Sequence, residues 1–504
     1  MIKKNKSYIG IICLISVGIF LRFFLISKRS LWCDEFIAIS LAKLNSSDMV
    51  RWIIERDAHP PFFYYIYHFI LKFTQSEFGL RFLPAVFGGG SIIIFYFLLR
   101  NFFNKEKIVL PLTLFVLSPA AILWSQMIKS YSMLTFFSLV SLYSFLSLLK
   151  ENRFKFVFFW SFSTILSVYL HHYGGIILLS QVIILFLSKK KDQLKPFILP
   201  VLVIALFSVP YLGIFLLPQL NYVKGAYHTI TNPFLRLGYT FFYFTFGETL
   251  SPLNLIFVVP GGLLFVFFFL KGVFKKKKEV LENFSIISLG ISIILYFTVK
   301  ATIPQNLILL QPLFFILISS GVNMERKVLQ KKVFSFLLPL FLLPPIYFYY
   351  KGDSLEYHDV SKLTPYREVS KMIQEEEREG EAVLFTEKRE RRFTDFFPKY
   401  SPWDWYYKGT STMFEVNPSN MRDLDEELLK IKNKYNSYWL LLDYGFVEPE
   451  WNEKVKDFLL NKKSVKIKEE MFVKNFSFLD FLKNREKKEY HFLWVYHIER
   501  ETNE

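Results

Sequence analysis

A train of apolar runs, separated by short basic loops, constrains this chain more than any other feature. The runs cover about residues 8–25, 62–73, 80–99, 108–124, 131–149, 154–170, 174–187, 196–217, 253–270, 284–299, 307–322 and 333–350. Most approach the ~20 apolar residues that a helix needs to cross a hydrocarbon core of ~30 Å. Backbone groups in lipid must be satisfied within the segment, so runs of this length fold as helices. The chain is therefore expected to be an α-helical polytopic membrane protein with about 11–13 transmembrane helices.

Charge follows the same division. The formal net charge of +17 in 504 residues could point to nucleic acid. The basic residues instead cluster between apolar runs: Lys105 and Lys107, Lys150 with Arg153 and Lys155, Lys189 to Lys191, Lys275 to Lys278, and Arg326 and Lys327 with Lys331 and Lys332. That distribution orients helices in a bilayer and excludes nucleic acid as a partner. With the lysine-rich start in the cytoplasm, residues 30–61, 126–131, 171–173, 221–251 and everything after Tyr350 fall on the outer side. Arg22 near the end of the first run, and Lys28 and Arg29 after it, stand where a signal peptide would carry small residues, so it reads as an uncleaved membrane helix. Two full crossings between Pro61 and Arg100 would break the charge rule, which leaves 62–73 as a re-entrant segment or a local exception. Cys13 and Cys33 are expected to lie roughly 20–30 Å apart on a helical rise, too far to pair.

The composition changes after Tyr350. Residues 360–379 and 420–434 carry helical patterning, while 382–386, 438–444 and 492–498 read as short buried strands. The division expected is a membrane domain, 1–350, with an outer loop at 30–61, and a soluble α/β domain, 351–504. No glycine-rich phosphate loop and no CxxC pair occurs in the second part.

Groups able to bind phosphate or move protons concentrate at run ends. The densest set lies at 30–61, with Leu31-Trp32-Cys33-Asp34-Glu35-Phe36 near its start and Asp57-Ala58-His59-Pro60-Pro61 at its end. Asp34 and Glu35 stand between Trp32 and Phe36, and partial desolvation there would favour a carboxylate acting as a base. Residues 32–44 and 46–56 read as short interfacial helices, and Pro60-Pro61 can open the next helix. Further along come Glu77 and Arg81, spaced to pair across one helical turn, then Lys129 and Tyr131, and His171-His172-Tyr173. Adjacent histidines on a helix point about 100° apart and do not readily share one metal. A polar lining for a cavity suits them better.

These motifs, in this order, resemble the polytopic glycosyltransferases that use polyprenyl-phosphate sugars, the superfamily of protein O-mannosyltransferases and aminoarabinose transferases (GT-C type). Ser76-Glu77-Phe78-Gly79-Leu80-Arg81-Phe82-Leu83-Pro84 and Ser125-Gln126-Met127-Ile128-Lys129-Ser130-Tyr131 continue the likeness, which covers about residues 22–173. The resemblance implies Asp34 as the base that deprotonates the acceptor, with Glu35 beside it. It implies His59 near the lipid phosphate and Asp57 near the acceptor or a metal, with Arg81, Lys129, Tyr131, His171 and His172 as further substrate-binding residues and Arg22 as another cation. No cofactor is specified, and a divalent metal stays open. Two departures stand out. Lys129 and Met127 replace the family's usual Arg and Glu, so a point charge replaces a bidentate fork, and Gln305 and Asn306 stand where an Arg is common. The expected partners are a polyprenyl-phosphate sugar, a cell-envelope acceptor (lipid, glycan or protein) and membrane lipid. The expected location is the cytoplasmic (inner) membrane, with the active site on the extracytoplasmic face. By the same resemblance transfer would invert the anomeric centre. A transporter or lipid flippase, and an inactive scaffold of the same fold, are the alternatives. The first would show internal repeats and broken mid-membrane helices, and no clear repeat is present.

Overall fold

The computed structural model describes residues 2–57, 59–151, 153–187, 195–226, 232–299, 302–352, 356, 360–386, 402–416, 424–443, 449–460, 464–476 and 489–500. Lys189 to Lys191, one basic cluster of the charge pattern, lie outside these residues. The described chain forms two compact units. One comprises Met1–Ile26 and Leu41–Lys351, the other Ser27–Ser40 and Gly352–Glu504.

The apolar runs form helices. In order they are α1 Ile2–Phe23, α2 Cys33–Lys43, α3 Ser46–Arg56, α4 Phe62–Ile70, α5 Glu77–Phe102 and α6 Val109–Val116. Next come α7 Pro119–Ser125, α8 Tyr131–Leu148, α9 Phe154–Leu170, α10 Gly175–Leu187, α11 Lys195–Ala226 and α12 Pro233–Phe246. The series ends with α13 Leu255–Val273, α14 Val280–Thr298, α15 Gln311–Asn323, α16 Val328–Leu340 and α17 Leu343–Lys351. Among the described residues seven helices are long and apolar enough to cross a membrane, or eight if the bent pair Lys105–Val116 and Pro119–Ser125 counts as one span. Three shorter apolar helices, Ile9–Phe23, Phe154–Leu170 and His172–Leu187, accompany them. This is an integral membrane protein. Helix α4 has nine residues, a rise of about 14 Å, and is too short to cross. One crossing, α5, therefore lies between Pro61 and Asn104, and the conflict in the charge pattern disappears.

The apolar run at 108–124 is broken. Ser118 caps α7, its hydroxyl accepting from the Ala121 amide at 3.2 Å, and Pro119 opens the helix. The pair turns by 55° there, which leaves the last carbonyls of α6 without helical partners. Arg22, fully buried, supplies them. Its guanidinium donates to Phe115 O and Val116 O, each at 3.3 Å, and to Gly18 O at 2.8 Å. The end of α1 is capped likewise: Gln126 Nε2 donates to Leu21 O at 3.0 Å and Phe24 O at 2.9 Å, and Arg81 Nη1 donates to Ile26 O at 3.0 Å.

Helices α13 and α15 meet backbone to backbone. A Cβ on Gly272 would overlap the carbonyl of Leu317, and one on Gly321 the carbonyl of Phe268. Small residues allow such approach between membrane helices. Gly321→Leu is expected to push the pair apart and lower the melting temperature of the detergent-solubilised protein sharply. An unchanged melting temperature would show that the contact carries no stability.

The second unit is built on a five-stranded sheet of order β2-β1-β3-β5-β4. Its strands are β1 Ala382–Thr386, β2 Thr412–Val416, β3 Ser437–Asp443, β4 Ser464–Phe476 and β5 Glu489–Arg500. β1 runs parallel to β2 and β3, while β5 pairs antiparallel with β3 and β4. Its helices are α18 Tyr366–Glu376, α19 Pro402–Tyr406, α20 Leu424–Lys434 and α21 Pro449–Leu459. Leu428, Ile431, Trp451 and Val455 of α20 and α21 pack on Leu384, Tyr438, Leu440 and Tyr496 of one sheet face. Residues of the other face, among them Val383, Trp439 and His497, are buried too. Both faces are covered.

A buried polar group lies at the start of β1. Glu381 accepts from His497 at 2.8 Å, Ser437 Oγ at 2.7 Å and Trp439 Nε1 at 3.1 Å. Burial pushes its carboxyl up, but hydrogen bonds from His497, Ser437 and the Arg378 amide, with the charge of His497, outweigh that and hold it at about 2. A depressed carboxyl contributes stability above its unfolded value, lost as pH falls through the folded one. This unit is therefore expected to lose stability from about pH 4.5 down to 2, measured by intrinsic fluorescence of the full chain. Glu381→Gln should flatten that decline, and parallel curves would reject the assignment.

Candidate functional site

The site in the membrane unit begins where α3 ends. Asp57 is its C-cap, in extended conformation, and its Oδ1 accepts from the His59 amide at 3.1 Å, closing a turn of the Asx type. Pro60 and Pro61 then set the chain on course into α4, where Pro61 is the N-cap. The same Oδ1 lies 2.9 Å from His59 Nδ1, and Tyr64 OH donates to Oδ2 at 2.6 Å. A carboxylate only accepts, so Nδ1 carries the proton and Nε2 is left as the ring's second nitrogen for a ligand. Both Asp57 oxygens are thus engaged, which suits it to orienting His59.

Three other elements converge on this turn. Lys129 lies in the break between α7 and α8, and Tyr131 opens α8. The Tyr131 ring sits 6.4 Å from His59, 5.8 Å from His171 and 4.5 Å from Trp124, and its hydroxyl donates to Asn306 Oδ1 at 3.2 Å. His171 ends α9 and stands edge-on to His59 at 5.2 Å. The chain reverses tightly there because Gly174 has no side chain: a Cβ would come 2.5 Å from Ser167 O.

Gln219 ties these pieces together. Its Nε2 donates to Ile53 O at 3.2 Å and His59 O at 3.0 Å, so its Oε1 must accept from His172 Nε2 at 2.6 Å. His172 Nδ1 and His171 Nε2 are buried with no hydrogen-bond partner among the described residues. Buried polar atoms left so are costly, and they suit a polar ligand. Tyr173 OH reaches Thr302 Oγ1 at 2.8 Å.

A carboxylate and a lysine carry charge in this cluster. Burial pushes the Asp57 carboxyl up, but the charge of His59, hydrogen bonds from His59 and Tyr64 and the charge of Lys129 hold it below the ordinary value. Burial, joined by the charges of His59, His172 and Lys129, keeps His171 well below the ordinary imidazole value and hence neutral. One carboxylate is therefore surrounded by Lys129, three imidazoles and the Tyr131 hydroxyl. Among the described residues no group of three His, Cys, Asp or Glu side chains could hold a metal ion.

Asp57, His59, Lys129, Tyr131, His171 and His172, expected from the sequence, thus come together. Asp34 and Glu35 belong to the other unit, on the first turn of α2. Glu35 is fully buried, and its Oε2 accepts from the Trp32 amide at 3.1 Å while its own amide donates to Trp32 O at 2.9 Å. It caps its own helix. Asp34 is half-buried. Gln219 and Asn306 are the site residues that sequence reasoning missed or discounted. A lone Gln within the apolar α11 was the available signal.

Residues 58–213 match the family described as dolichyl-phosphate-mannose-protein mannosyltransferase. Comparison with curated protein sequences finds no match. Crystal structures of ArnT from Cupriavidus metallidurans are similar over nearly the whole chain. The apo form has a TM-score of 0.56 at 11% identity, covering 98% of each chain. The form bound to undecaprenyl phosphate has a TM-score of 0.52 at 11% identity, covering 97% of this chain and 98% of ArnT. At that identity the likeness is one of fold. The family match is confined to residues 58–213, and over the rest of the chain the likeness to ArnT is one of fold alone. The segment that carries the family match takes in His59, Arg81, Lys129, Tyr131, His171 and His172, while Asp34, Glu35 and Asp57 precede it.

Proposed function

We propose that this protein is a glycosyltransferase that takes a sugar from a polyprenyl-phosphate donor and delivers it to a cell-envelope acceptor on the extracytoplasmic side of the cytoplasmic membrane. The observation that carries the reading is the convergence of His59, Lys129, Tyr131, His171 and His172 around Asp57, at the ends of membrane helices. A lipid-tethered anion needs cations and donors at that depth. ArnT's binding of undecaprenyl phosphate supports the donor class, and the short α4 supports the outer side, since the basic loops then alternate as the charge rule requires.

In the proposed step the Asp34 carboxylate takes the proton of the acceptor hydroxyl or amine. The acceptor's electron pair forms the bond to the anomeric carbon from the face opposite the phosphate. The bond from that carbon to the phosphate oxygen breaks, polyprenyl phosphate leaves with the electron pair, and the anomeric centre inverts. Lys129 and, in the doubly protonated form of its ring, the Nε2–H of His59 stabilise the charge that develops on the leaving oxygen.

The test is incubation of the purified protein with radiolabelled polyprenyl-phosphate sugar and a cell-envelope extract. Release of polyprenyl phosphate with label moving to an acceptor is the expected result. Donor that crosses a vesicle membrane intact would establish a flippase instead, and donor that is neither bound nor consumed would establish a scaffold.

A further inference from the structure

Residues 27–40 lie with the C-terminal residues in one compact unit, and the contacts are specific. Tyr406 OH accepts from the Leu31 amide at 2.8 Å, and Ser30 Oγ donates to Glu368 Oε2 at 2.8 Å. The Arg367 amide donates to Ser30 Oγ at 3.1 Å, while its guanidinium reaches Ser27 O at 3.1 Å and Lys28 O at 2.8 Å. On the other side of the acidic pair, the Phe36 ring lies 5.9 Å from both Trp405 and Tyr406. Leu31, Trp32 and Phe36 are all buried. The first turn of α2, which carries Asp34, is therefore gripped just before and just after the carboxylate by α18 and α19.

We propose that this grip is a working part of the transfer reaction, with Tyr406 and Glu368 as positioning residues that orient Asp34 toward the acceptor. The inference rests on the reading of Asp34 as the base. The grip reaches Asp34 through backbone and aromatic contacts, so it acts on the geometry of proton transfer. The donor contacts of His59 and Lys129 belong to the other unit, and loosening the grip leaves them in place. A base displaced by even ~1 Å loses much of its effect.

The experiment measures transfer by the full-length enzyme at saturating donor, together with the KM for donor. The variants are Tyr406→Phe, Glu368→Ala, Glu368→Gln, Ser30→Ala and the double Ser30→Ala with Glu368→Ala. Tyr406→Phe and Glu368→Ala are expected to lower kcat on the order of tenfold with donor KM unchanged. Glu368→Gln, which still accepts from Ser30, restores the rate. The double variant falls by less than the two single losses combined, since both singles remove the shared Ser30–Glu368 bond. The inference is overturned if both single variants turn over like the parent, if kcat falls only in step with the folded fraction, or if Gln rescues nothing. Asp34→Asn in the same assay separates the two levels. If it is inactive while the grip variants are parental, only the positioning role fails; if it transfers normally, the reading of Asp34 beneath it fails.

Discussion

Asp34→Asn is expected to bind donor like the parent while its transfer rate at saturating donor falls by roughly 10² to 10⁴-fold, the scale of a lost general base. The amide keeps the shape and hydrogen-bonding capacity of the carboxylate but cannot take the acceptor's proton. Its neighbour provides the control. Glu35 is buried and accepts from the Trp32 amide, a bond that the oxygen of Gln also makes, so Glu35→Gln should lose far less. Rates of the two variants, each with donor affinity measured separately, decide the matter. A near-parental rate for Asp34→Asn, or a larger loss at Glu35, would remove Asp34 from the base role.

The polytopic class was legible because membrane helices announce themselves by length and apolarity alone. Strands β1, β3 and β5 were legible for a related reason, being short apolar segments buried on both faces. β4 was not: Lys466, Lys468, Glu469, Glu470 and Lys474 give Ser464–Phe476 the composition of a surface loop, as suits a charged sheet edge. Asp57 and His59 were singled out separately, one for the acceptor or a metal and one for the phosphate, and their bond to each other was not foreseen. Asn306 was read only as a missing cation, whereas its side chain accepts from Tyr131. Arg22 was read as a cation for phosphate, but its guanidinium lies on the carbonyls of a helix break that hydropathy does not reveal in the run 108–124. The lodging of Asp34 among C-terminal residues had no signal at all, because Ser30 and Glu368 are 338 positions apart. Hydrophobic period reports which face is buried, and says nothing of which distant element buries it.

His59→Ala and Lys129→Ala are each expected to weaken binding of the lipid-phosphate donor by about 10 to 100-fold, the value of one or two charge-assisted hydrogen bonds to phosphate. Lys129 can neutralise an oxyanion as a point charge, and Lys129→Arg, which keeps the charge, should retain most of the affinity. Asp57→Asn probes the support of His59. The Asn oxygen can still accept from His59 Nδ1 and the His59 amide, so the ring orientation survives, and donor affinity should fall less than in His59→Ala. The two single losses are not expected to add, since Lys129 and His59 both lie close to Asp57 and would share one ligand. Acceptor KM should stay near parental in both, which separates a donor site from a general collapse of the cluster. Parental donor affinity in both alanine variants would mean that the phosphate binds elsewhere and that the imidazoles gathered at His59 serve another group.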